Sequence, residues 1–103
     1  MVLGSIFPIR DGLSTRQALE LASFYLDNAR QTRDVKLASV LCDDAASVLS
    51  QVKRNAKWAR KYAEDQDLKE GIAEAYIVLG KLQEQLGHLE KAQASQKTAE
   101  KWR

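Results

Sequence analysis

Proline occurs once in this 103-residue chain, at Pro8, so beyond that point no proline interrupts a helix. β-branched residues form no alternating run of the kind a half-buried strand needs. The only cysteine, Cys42, cannot close an internal disulfide, and the only histidine is His88. Zinc sites and Cys–His catalysis therefore lack ligands. There is no phosphate-cradling glycine loop and no serine nucleophile elbow. No apolar stretch approaches the roughly 18 residues of a membrane-spanning segment. An enzyme has nothing to rest on, and the expectation is a non-catalytic chain without metal or cofactor. The apolar opening Met1 to Phe7 is too short for a signal peptide and lacks a basic leader. With a lone thiol, this predicts a cytoplasmic or nuclear protein.

What remains is material for a helical domain. Hydrophobic residues make up 45% of the chain and charged residues 29%, the balance of a folded protein rather than a disordered one. The formal charge of +2 is too mild to imply nucleic acid. Residues 1–13, with Gly4, Pro8 and Asp11-Gly12, read as an extended arm. Residues 14–103 read as one all-α domain.

Ser14 with Gln17 is a capping-box pair, and it opens a first helix to about Gln31 through Ala18, Leu21, Ala22, Tyr25 and Ala29. Asp34 is placed to cap a second helix. Its apolar rhythm, from Ala38 through Leu41, Ala45, Val48, Leu49, Val52 and Ala56 to Ala59, carries it to Tyr62 or Ala63. Such a helix is about 40 Å long against about 26 Å for the first, so its excess needs cover from the third. Asp67 with Glu70 suggests another cap, followed by a third helix from Leu68 to Leu86. Gly87 ends that helix, and a fourth runs from Leu89 through Ala92, Ala99 and Trp102.

The carboxylates do not assemble a site on this map. Asp43 and Asp44 project about 100° apart on a helix, and Glu64, Asp65 and Asp67 belong to a polar connection. His88 reads as an exposed or capping turn residue and Cys42 as packing.

Tyr76, Leu79-Gly80, Leu86-Gly87, Leu89, Ala92 and Ala99 carry a family pattern. Over residues 73–103 the chain resembles a tetratricopeptide repeat, in which a glycine and small residues let two antiparallel helices approach closely. Gln83 and Gln96 stand where the family prefers aromatics, which predicts weaker packing against a following repeat. A fainter echo covers residues 19–52, with Leu26 where a small residue belongs. The two hairpins lie about 20 residues too far apart for adjacent 34-residue repeats. The resemblance thus implies a four-helix, irregular array of antiparallel hairpins with an extended second helix.

The resemblance also implies a function: a module that receives a peptide or helix of a partner protein on its first helices. Ser23, Asp27 and Arg30 on the first helix and Ile77, Lys81 and Glu84 on the third would line that face. Asp27 and Ile77 replace the asparagine and lysine of the family's carboxylate clamp, which argues against chaperone C-terminal tails. A second expectation is self-association into a homodimer, because two hairpins leave apolar faces uncovered. A basic run, Lys53, Arg54, Lys57, Arg60 and Lys61 around Trp58, is the weaker third, a candidate for an anionic surface or nucleic acid. A repeat running into the final residue also suggests a piece of a longer protein.

Overall fold

The computed structural model describes residues 14–58 and 66–103. The expected arm over 1–13, and Arg60 and Lys61 with the far end of the second helix, lie outside the described residues, as do the side chains of Lys57 and Trp58. Four helices are present among the described residues: α1 (Thr15–Gln31), α2 (Val35–Trp58), α3 (Gln66–Gln85) and α4 (Leu89–Trp102). The fold is all-α.

Local chemistry sets the helix ends. The Ser14 hydroxyl accepts from the Gln17 amide at 3.0 Å, and the Gln17 side chain accepts from the Ser14 amide at 2.9 Å, completing the capping box. Asp34 Oδ1 accepts from the Lys36 and Leu37 amides, which fixes the start of α2. The turn between them is three residues, so α1 and α2 form an antiparallel hairpin. Asp67 does not cap the third helix as the spacing predicts. The helix already runs at Gln66, which leaves Asp67 an acidic residue in the first turn, where the helix dipole favours it.

Gly87 closes α3 with φ of +85°, a conformation that side chains resist. The His88 amide donates to the Gln83 carbonyl at 2.8 Å and the Gly87 amide donates to the Glu84 carbonyl at 3.0 Å, the paired bonds of a Schellman ending. Space is not the constraint there, since a Cβ at Gly87 meets nothing within 4 Å. Gly87→Ala is therefore expected to cost about 1 kcal/mol through backbone strain alone. Chemical denaturation should show this as a lower midpoint with an unchanged slope.

Apolar stripes then join the two hairpins. Ala18, Ala22, Leu26 and Ala29 of α1 are buried in one core with Cys42, Ala45, Leu49, Val52 and Ala56 of α2 and Leu68, Ile72, Tyr76 and Leu79 of α3. α1 packs on α2, α3 packs on α4, and α3 also lies against both α1 and α2. The expected cover for the long second helix is thus α3. The body measures 38 × 35 × 19 Å, and its thickness is about two helix diameters.

Missing side-chain bulk sets the spacing between helices. A Cβ at Gly71 would stand 2.7 Å from Leu19 Cδ2, so the absent side chain lets α3 settle on α1. A Cβ at Gly80 would stand 3.2 Å from Gln96 Cγ, 3.4 Å from the Ala92 carbonyl oxygen and 3.5 Å from Ser95 Cβ. Gly80 and Ala92 are both buried, each facing the other helix of the hairpin. Within the hairpin Gln83 is buried, and its Oε1 accepts from the Ser95 hydroxyl at 2.6 Å.

Candidate functional site

Leu19, near the start of α1, meets Gly71, near the start of α3, while Arg30 at the end of α1 shares a cleft with Leu82 and Gln85 at the end of α3. The first helices of the two hairpins therefore run side by side in the same direction. That arrangement creates a surface made of one helix from each hairpin.

The cleft at the far end of this surface has a volume of about 420 Å³ and is lined by Arg30, Val78, Lys81, Leu82 and Gln85. Two cations stand over a partly apolar floor. Arg30 Nη1 lies 3.6 Å from Asp27 Oδ1, but both side chains are about 60% exposed. Such a pair is worth under about 1 kcal/mol, so it holds the Arg30 guanidinium only weakly.

A second opening, about 600 Å³, lies at the other end of α3 among Gln66, Glu70, Gly71, Ala73, Glu74, Ile77 and Arg103. Of the six residues that the sequence singles out, Arg30 and Lys81 meet in the first cleft, while Ile77 lines the second. Ser23, Asp27 and Glu84 are exposed and line neither. Val78, Leu82 and Gln85 were missed. Val78 follows Ile77 by one residue and so turns about 100° towards α1, a displacement the helical period alone could have supplied.

No protein-family model matches the chain, and no curated protein or solved structure matches it either. The site has to be read from its own geometry.

The basic run divides. Lys53 is half-buried and its Nζ stands 5.6 Å from the centre of the Tyr76 ring on α3, a cation–π contact. Arg54, one residue on, is exposed. The two cations therefore do not form one patch, because successive residues diverge on a helix. Tyr76 is also hydrogen-bonded with Ser50, and burial pushes its hydroxyl above the usual tyrosine range, partly offset by that bond. Its ring and hydroxyl thus tie α2 to α3.

Cys42 is buried, and its thiol is held above the ordinary range by burial first and by Asp43 second, with Lys91 acting the other way. That environment disfavours the thiolate a nucleophile needs. Lys91 of α4 reaches Asp43 of α2 at 3.2 Å, bridging the second helices of the two hairpins. His88 occupies the N-cap of α4, but its side chain makes no capping bond. Among the described residues no three His, Cys, Asp or Glu side chains gather as metal ligands, and no helix is long and apolar enough to cross a membrane.

Proposed function

We propose that this chain is a non-catalytic interaction module, an irregular tetratricopeptide-like pair of hairpins that receives a peptide or helix of a partner protein. The observation that carries the reading is the cleft where Arg30 from one hairpin and Lys81 from the other stand over Val78 and Leu82. A site built across two hairpins exists only when they are stacked, which is the use to which helical-repeat surfaces are put. Support for the kinship comes from Gly80 set against Ala92 and from the Schellman ending at Gly87, the two features the repeat pattern requires.

The charge favours a ligand carrying carboxylates at that end and apolar side chains beside them. Selection from a displayed peptide library on the full chain should enrich such sequences. The selected peptide should bind Lys81→Glu at least tenfold more weakly than the wild type by titration calorimetry. Lys97→Glu, an exposed change on α4, should leave binding within twofold. Failure to enrich any peptide, or equal losses in both variants, overturns the proposal.

A further inference from the structure

The outer side of α2 carries a pattern that fits its own copy. Lys36, Val40 and Asp44 follow one another at four-residue steps, so they form one stripe, rising about 6 Å per step. All three are exposed, Val40 by 53%, and Leu37 beside them by 46%. An apolar valine in water thus sits between a cation on one side and an anion on the other. Among the described residues neither the Lys36 ammonium nor the Asp44 carboxylate has an ion-pair partner.

We propose that two copies of this chain pair through α2, antiparallel, about a two-fold axis passing beside Val40. Antiparallel placement brings Val40 against Val40 of the second copy. The axis also exchanges positions four residues before and four after the valine. Each Lys36 therefore faces the Asp44 of the other copy, and two ion pairs close on either side of the apolar contact. Lys36 and Asp44 each lie about 40° off the line of Val40, on opposite sides, and a crossing of about 50° between the two α2 helices, at which their i±4 rows run parallel, takes up that offset.

A parallel copy would set lysine against lysine and aspartate against aspartate, so the charge order selects one pairing. Leu37 widens the apolar strip. The contact is isologous and closes at two chains. None of its residues lines the α1–α3 cleft, so it stands or falls separately from the peptide reading.

Reversing one charge at a time tests this. In sedimentation velocity over about 1 μM to 1 mM, the wild type should shift from one to two 11.6 kDa chains. Lys36→Glu sets a second carboxylate against Asp44, and Asp44→Lys sets a second ammonium against Lys36. Each variant should stay monomeric or dimerise at least tenfold more weakly. An equimolar mixture of the two should recover the dimer, because both contacts are then between opposite charges. Helical circular dichroism of each variant shows that it folds. A wild type monomeric throughout, variants that dimerise like the wild type, or a mixture that recovers nothing overturns the proposal.

Discussion

Gly80→Leu is expected to lower the melting temperature by about 15 °C, through a loss of about 3 kcal/mol at 4–8 °C per kcal/mol for a domain this small. One methyl at this position differs from four carbons. An alanine Cβ at position 80 would stand 3.2 Å from Gln96 Cγ, and Gln96 is an exposed side chain that can swing aside. The gain in helix propensity, about 1 kcal/mol over glycine, offsets that adjustment, so Gly80→Ala should stay within about 1 kcal/mol of the wild type. The further carbons of leucine meet the Ala92 carbonyl and Ser95 Cβ, which belong to the α4 backbone or sit directly on it. They cannot rotate away, and α4 has to move off α3. Thermal melts of both variants by circular dichroism check the pair. Equal melting temperatures would mean that the two helices do not rely on close approach at this point.

How much of this was legible beforehand depends on how local the cause is. The capping box at Ser14, the Asp34 cap and the Gly87 ending are each written in a few neighbouring residues, and the helices begin or end there to within a residue. Gly80 against Ala92 was legible too, because the two lie on either side of one tight turn. Contacts between hairpins were not. Nothing in the residues around Gly71 signals that α3 rests there on Leu19. Lys53 reads as part of a basic run, although half-buried over Tyr76.

The partner of Gln83 was not legible either: a buried amide looks like a packing fault until Ser95, twelve residues on, supplies its hydrogen bond. The candidate site shares this division. Arg30 and Lys81 could be placed on their own helices from the period alone, but that they line one cleft follows from the side-by-side course of α1 and α3.

Leu49→Ala tests whether α2 is the spine of that arrangement, and it should show the largest loss among single core truncations here. Leu49 is fully buried, in the same core as residues of both α1 and α3. Trimming its isobutyl group to a methyl should cost about 4 kcal/mol, transfer term and cavity together. Cys42 supplies the readout, since it lies two turns earlier on the same buried side of α2 and its thiol is shielded. Alkylation then has to wait for the core to open. Where reclosing outruns the chemistry, the rate follows the population of the open form. A loss of about 4 kcal/mol corresponds to about a thousandfold faster labelling at fixed pH. Leu89→Ala removes the same atoms from a side chain 59% exposed, and should leave the rate within a few fold. If Leu49→Ala lowers the melting temperature without accelerating labelling, Cys42 is reached by local movement of α2, and the core does not open as one unit.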